Sequence, residues 1–268
     1  MQTALIVSSG RTGTQFLARY FAGNFADVVA AHEPRPRAAV RLAANAWAAG
    51  AVPRALPLAL LRRKARRIAA LRGRLYVESN PFLWGAADLF DEAFGEPTII
   101  HVVRDPRAQV RSSLNHGTST GLKAMANRMV PFWYPPVRSL RSVGPSPDWM
   151  ARAAGLWTLV NRRLRQAGAR SRHYHVVRHE ELFDEAHTGL RAICGLLGLE
   201  PPGPNAPVDP DVKSNTGTRS ALAHWESWSD AECGLLDRIC GPLMAEYGYG
   251  TEPAWLARVR RGTEIAPP

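Results

Sequence analysis

"TALIVSSGRTGTQFLARYFA", residues 3–22, decides how this chain folds. Thr3-Ala4-Leu5-Ile6-Val7 is a short apolar run without alternation, the pattern of a strand covered on both faces. Phe16-Leu17-Ala18-Arg19-Tyr20-Phe21 has helical spacing, and the helix is expected from about Thr14 to Ala22, stopping at Gly23. Between the two lies a turn with Gly10 and Gly13. Such a turn aims successive backbone N–H groups at one point, and the helix that follows adds its N-terminal amides and partial positive charge. Thr12 and Thr14 add hydroxyl donors, and Arg11 adds a permanent charge. The familiar nucleotide loop ends in Gly-Lys-Ser/Thr, which places a lysine on the outer phosphates and a hydroxyl on magnesium. Neither follows Gly13. The turn therefore suits a singly or doubly charged anion bound without a metal, although a glycine turn needed for packing alone has the same appearance.

Three further runs, Leu75–Val77, Thr98–Val103 and His173–Val177, also resemble buried parallel strands, with helical patterns between them. That alternation argues an α/β fold. Asp105-Pro106 reads as an N-cap with proline at the first helical position. Leu190, Ile193, Cys194 and Leu197 form a stripe closed by Gly198. Ser229-Asp230-Ala231-Glu232 is a capping box opening a helix with Leu235, Leu236, Ile239, Leu243 and Met244 inward. Residues 116–147, with Phe132-Trp133-Tyr134 among prolines, and 200–228 read as long loops of the kind that often bind ligands. Without repeats or linkers, residues 1–268 are expected to form one domain, with a core over 1–200 and a C-terminal loop and helices over 201–268.

The 268 residues suffice for a full core, and 46% are hydrophobic. A net charge of +11 and a pI near 10.4 suit an anionic partner. Nearly all the cations are arginine, which grips phosphate and sulfate in two-pronged fashion. Three cysteines give no disulfide framework, and no Cys/His spacing suggests zinc. No leader or membrane span is apparent, so a cytoplasmic location is expected. Arg62-Arg63-Lys64-Ala65-Arg66-Arg67 reads as a solvated helix face. No nucleic-acid module is recognisable, and none is expected as a partner.

"HVVRDPRAQVRSSLNHG", residues 101–117, sets Arg104 at the carboxyl end of a strand and Ser112 eight residues on, in the next helix. Ligands of open α/β sheets bind at the carboxyl ends of strands. Arg104 and Ser112 could thus hold a second anion beside the first; alternatively Arg104 pairs with Asp105 or Glu33.

Taken together, these stretches resemble the sulfotransferases that use 3′-phosphoadenosine 5′-phosphosulfate (PAPS). Arg11-Thr12-Gly13-Thr14-Gln15, following Gly10, is similar to their 5′-phosphosulfate loop, and Arg104 with Ser112 to their 3′-phosphate site. "VVRHEELF", residues 176–183, and "GLRAICGLLGL", residues 189–199, resemble the next strand end and helix. The resemblance implies a P-loop NTPase-like, three-layer α/β/α fold around a central parallel sheet. It implies sulfuryl transfer from PAPS, releasing the bisphosphate PAP, to a small-molecule, sugar or lipid acceptor, with no metal. It places Arg11 beside the bridging oxygen and Thr12 to Gln15 around the 5′-phosphate. His116 falls where one branch has a second nucleotide-binding arginine, and His179 where the family often has tyrosine. Lys213, Ser214 and Arg219 fall where a late loop closes over the nucleotide. A homodimer is left open.

A base must take the acceptor's proton. "AAHEPRP" places Glu33 twenty-two residues after Arg11, the approximate family spacing for a catalytic glutamate, with His32 as the competing base. "YVESNPFL", residues 76–83, resembles the family's Asn-Lys-Asp-Pro-Phe segment, but Ser79 replaces the lysine, which argues against a protein-tyrosine acceptor. Two other function classes remain: a nucleoside or small-molecule kinase, which would want a loop lysine and an acidic magnesium ligand, and a non-catalytic anion-binding protein.

Overall fold

The computed structural model describes residues 1–115, 130, 132, 149–203 and 224–265. Five strands are seen there: β1 (Gln2–Ser8), β2 (Val28–His32), β3 (Leu75–Ser79), β4 (Thr98–Val103) and β5 (Tyr174–Arg178). They pair in parallel in the order β2-β3-β1-β4-β5. β1, β3 and β4 are the central strands and are almost wholly buried, which is why they read as continuous apolar runs.

Helices cover both faces. On one lie α1 (Thr14–Asn24) and α8 (Thr188–Leu196), burying Phe16, Leu17, Phe21, Leu190 and Ile193 against Ala4, Ile6, Val77 and Ile100. On the other lie α2 (Arg37–Ala48), α3 (Ala55–Ala69), a 3-10 segment (Pro81–Leu89) leading into α4 (Phe90–Phe94), and α6 (Trp149–Gly168). These bury Val40, Leu61, Leu83, Phe90 and Leu164 against Leu5, Val7 and Ile99. The third apolar cluster joins α5 (Pro106–Asn115) and α6 to α9 (Asp230–Glu246) and α10 (Pro253–Ile265). The short α7 (His179–Leu182) continues directly from β5. The arrangement is the expected three-layer α/β/α fold.

Two expectations need correction. The strand pattern missed β2. "VVAAH" is alanine-rich and sits at the sheet edge, where only Val28 is buried, so it carries little apolar signal. The basic stretch 62–67 is not solvated throughout. Arg62, Arg63, Arg66 and Arg67 face water, but Lys64 is buried on the inner side of α3. The helix expected at Thr14–Ala22 runs on to Asn24, and β3 and β5 each reach further toward their carboxyl ends than the apolar runs suggest. The capping box behaves as read: Ser229 Oγ accepts from Glu232 N at 3.2 Å, while Glu232 Oε2 accepts from Ser229 N at 2.7 Å.

Candidate active site at the carboxyl edge of the sheet

The β1–α1 turn is held open by three residues with left-handed backbone: Gly10 (φ 85°), Arg11 (φ 57°) and Gly13 (φ 78°). Left-handed φ costs glycine little but strains arginine. Ser8 Oγ accepts from Gly10 N (3.1 Å) and from Thr12 Oγ1 (2.7 Å), tying the turn to the strand. A Cβ on Gly13 would stand 3.2 Å from the ring of Phe183, which follows α7, so a larger residue would also push on that ring. α1 begins with no side-chain cap and no acidic residue in its first turn. Its positive end is thus left to whatever anion occupies the turn.

Arg104, just past β4, donates from its NH1 to the Arg11 carbonyl at 2.7 Å. Arg11 Nε donates to Ser112 Oγ at 3.2 Å. The expected cluster of Arg11, Arg104 and Ser112 therefore exists, though Ser112 reaches Arg11 and not Arg104. Asp105 is taken by Arg107, at 2.6 Å, and does not pair directly with Arg104. Burial, with the charge of Arg104 beside it, lowers the pKa of Arg11; burial likewise lowers that of Arg104, partly offset by Glu180 and Asp105. Two guanidinium groups held together out of water repel one another, and an anion between them relieves that repulsion.

His179 opens α7 at the same corner, packed on Phe183 with ring centroids 5.0 Å apart. Burial and the Arg104 charge, opposed by a hydrogen bond to the Thr12 backbone, bring its pKa down to about 4, so the ring is neutral. Arg104 Nε and His179 Nδ1 are both shielded from solvent with no hydrogen-bond partner among the described residues. Buried polar atoms are rarely left so.

The second group of candidates lies at the ends of β2 and β3. His32 Nδ1 is 3.0 Å from the Ser79 carbonyl oxygen, and Glu33 N donates to the same oxygen at 3.3 Å. A carbonyl only accepts, so His32 Nδ1 carries its hydrogen. His32 Nε2 then faces Glu33 Oε1 at 3.3 Å, an attractive contact only with a proton between them. Arg37 reaches Glu33 Oε2 at 3.4 Å. Burial pushes the Glu33 carboxyl up, but His32, Arg37 and Arg41 outweigh it, and the pKa is net lowered. Glu33 is mostly enclosed, 15% of its side chain exposed, and its φ of 46° is strained for a non-glycine residue.

Thr12 and Thr14 are buried in the turn and Gln15 is half-buried. His116, Lys213, Ser214 and Arg219 lie outside the described residues, as do Trp133 and Tyr134.

Sequence reasoning missed the residues that brace the turn. Ser9 Oγ donates to Gln109 Oε1 (2.9 Å) and Gln109 Nε2 to Ser9 O (3.2 Å). Trp157 Nε1 donates to Arg104 O at 2.8 Å. Asn161 Nδ2 donates to Trp157 O (2.7 Å), so its Oδ1 accepts from His101 Nε2 (2.7 Å). An amide within the buried stripe Trp157, Val160, Leu164 was the available signal. From the C-terminal part, Tyr249 OH donates to Glu180 Oε2 at 2.5 Å, and Glu180 Oε1 accepts from Asp105 N at 3.2 Å. Among the described residues no cluster of three or more His, Cys, Asp and Glu side chains is placed to hold a metal ion, and no helix is long and apolar enough to cross a membrane.

The sequence model of the sulfotransferase family matches residues 4–202. No curated protein matches the chain. Among solved structures it is similar to the sulfotransferase domain from the curacin biosynthetic pathway, at 14% identity and a TM-score of 0.53 over 92% of this chain and 98% of that one. It is also similar to a sulfotransferase from Alicyclobacillus acidocaldarius, at 17% identity and a TM-score of 0.50 over 96% and 99%. At such identities the likeness concerns the fold. The family match over most of the length goes further: the chain belongs to the sulfotransferase family.

Proposed function

We propose that this sulfotransferase takes its sulfuryl group from PAPS and delivers it to a hydroxyl or amine of a small-molecule, sugar or lipid acceptor, with Glu33 as the base and residues 1–268 working as one unit. One observation carries the donor assignment. Arg11 and Arg104 converge at the uncapped start of α1, where Arg104 Nε, a charged donor, has no partner among the described residues. That unmet donor is the need a doubly anionic nucleotide would fill, so the residues fit this donor.

In this reading the amides of residues 12–15 and the Thr14 hydroxyl hold the 5′-phosphate, the Thr12 hydroxyl having given its hydrogen to Ser8, and Arg104 holds the 3′-phosphate. Ser112 keeps Arg11 aimed at the bridging oxygen. Charge that builds there as the S–O bond breaks is met by a guanidinium already in place, usually the largest catalytic contribution. Glu33 takes the proton from the acceptor as the acceptor's oxygen or nitrogen bonds to sulfur. His32, with one nitrogen on Ser79 O and the other on Glu33, orients the carboxylate and is not the base itself. The Glu33 carboxyl, held below its ordinary pKa by His32, Arg37 and Arg41 against the upward push of burial, is the charged form that can take a proton. The reaction is otherwise a matter of alignment, like phosphoryl transfer.

The test is PAP release from PAPS with a panel of phenols, alcohols, sugars and amines. At least one acceptor is expected to stimulate release, Arg11→Ala to abolish it, and Glu33→Gln to slow it about 10²- to 10⁴-fold. Full turnover by Glu33→Gln would remove Glu33 as the base. ATP-dependent phosphorylation in place of PAP release would replace the reading with a kinase.

A further inference from the structure

A lysine and a glutamate are buried together on the α3 face of the sheet. Lys64 on α3 is 6% exposed and Glu78 on β3 is fully enclosed. Lys64 Nζ donates to both Glu78 oxygens, at 2.7 and 2.9 Å; Tyr76 OH donates to Oε2 at 3.0 Å and Asn80 Nδ2 to Oε1 at 2.8 Å. Lysine is almost never buried unless paired, and an apolar pair of the same size would hold a fold at least as well. The four bonds do something an apolar pair could not: they fix the carboxylate in one orientation.

Asn80 carries that orientation onward. Its Nδ2 is on Glu78, its backbone N donates to Ile6 O at 2.9 Å, and its Oδ1 accepts from Phe82 N at 3.0 Å. Ser79 lies between Glu78 and Asn80, so its peptide is anchored from both sides. The Ser79 carbonyl is the acceptor shared by His32 Nδ1 and Glu33 N. Beyond Phe82, Arg41 stacks on its ring at 4.2 Å, and the same Arg41 charge helps lower the Glu33 pKa.

The need for such an anchor follows from topology. Among the described residues β2 is an edge strand, paired with β3 on one side only, and Glu33 follows its last residue. Strained backbone such as Glu33's persists only where its surroundings over-determine it. By the strand register, His32 and Ser79 point to the α1 face and Glu78 to the α3 face. The ion pair therefore acts through the sheet's backbone rather than by contact.

We propose that Lys64, Glu78 and Asn80 are positioning residues for the His32–Glu33 pair, locking the Ser79 carbonyl that holds both. Their bearing on catalysis rests on Glu33 being the base; the test below does not. The protein is labelled with ¹⁵N-histidine, and the His32 ring nitrogens, assigned by their loss in His32→Gln, are followed from acid to alkaline pH. In the natural protein Nδ1 is expected to keep its hydrogen throughout. In Asn80→Ala, which leaves the ion pair intact, His32 is expected to lose the fixed Nδ1–H form and become a mixture of tautomers at alkaline pH. Lys64→Met/Glu78→Gln is expected to shift it the same way to a smaller extent. The His101 signals, set by Asn161 and Tyr174, should not move. Unchanged His32 signals in folded Asn80→Ala would overturn the proposal and leave the ion pair a purely structural feature. Once an acceptor is known, transfer surviving in Glu33→Gln would remove the base while leaving the His32 result standing.

Discussion

The two halves of the sheet's carboxyl edge are built in opposite ways. The corner proposed for the donor, at the ends of β1, β4 and β5, is made of backbone amides and guanidinium groups set by short contiguous stretches, and it contains buried polar atoms without a partner among the described residues. At the corner proposed for the acceptor, at the ends of β2 and β3, each His32 nitrogen and each Glu33 oxygen has a partner, and Ser79 Oγ is the one buried polar atom left without a partner among the described residues. A site left wanting will gain much from its ligand. A site already satisfied holds a geometry, and the stabilising groups lie away from it.

That contrast can be broken by mutation. The largest effect is expected at the hidden support. Lys64→Met leaves Glu78 buried without its cation and should lower the free energy of unfolding by about 3–5 kcal/mol, with Lys64→Met/Glu78→Gln recovering most of it. Urea unfolding measures both; a negligible loss in the single variant would deny the ion pair its role. Next comes Arg104→Ala, expected to weaken adenosine 3′,5′-bisphosphate binding about a hundredfold, close to 3 kcal/mol, while barely altering the melting temperature of the free protein. Calorimetric titration checks it, and equal binding by both forms would disperse the donor corner.

A pH effect of similar size is expected from His101. Burial, opposed by the Asn161 hydrogen bond, takes its pKa from the ordinary 6.5 to about 4. Below 6.5 the unfolded chain binds a proton that the folded chain refuses until about 4, so stability falls as pH drops through that window. The loss reaches about 3 kcal/mol from this group. Unfolding at successive pH values should show a slope shallower by about one proton in His101→Gln; identical slopes would contradict it. The smallest effect should come from Gly13→Ala. The left-handed φ and the 3.2 Å contact with Phe183 together should cost about 1–2 kcal/mol of stability and loosen the donor turn.

The same contrast separates what was legible in the sequence from what was not. Arg11 through Gln15 and Arg104 with Ser112 could be read because strand, turn and helix stand side by side in the chain, and the central strands are apolar throughout. Glu33 was singled out by its spacing from Arg11, yet the strand that carries it went unseen, since Ala30 and Ala31 at a half-exposed edge carry no hydrophobic pattern. Lys64 reads as one more charge in a basic run. Only the rotation of α3 and the register of β3 bring it onto Glu78, and such a meeting of two elements leaves no local mark. Of the C-terminal helices, α9 was legible from its capping box while α10 was not placed, nor were the bond from Tyr249 to Glu180 and the Arg107–Glu252 pair that tie this part to β4 and β5.

The most direct single measurement is a thermal-shift titration with adenosine 3′,5′-bisphosphate beside AMP, ADP and ATP, with and without magnesium. A ligand that binds only the folded protein raises its melting temperature. The expected result is selective stabilisation by the bisphosphate, independent of magnesium and lost in Arg104→Ala. No shift with the bisphosphate, or a larger one with ATP and magnesium, would contradict a PAPS site at the carboxyl ends of β1 and β4.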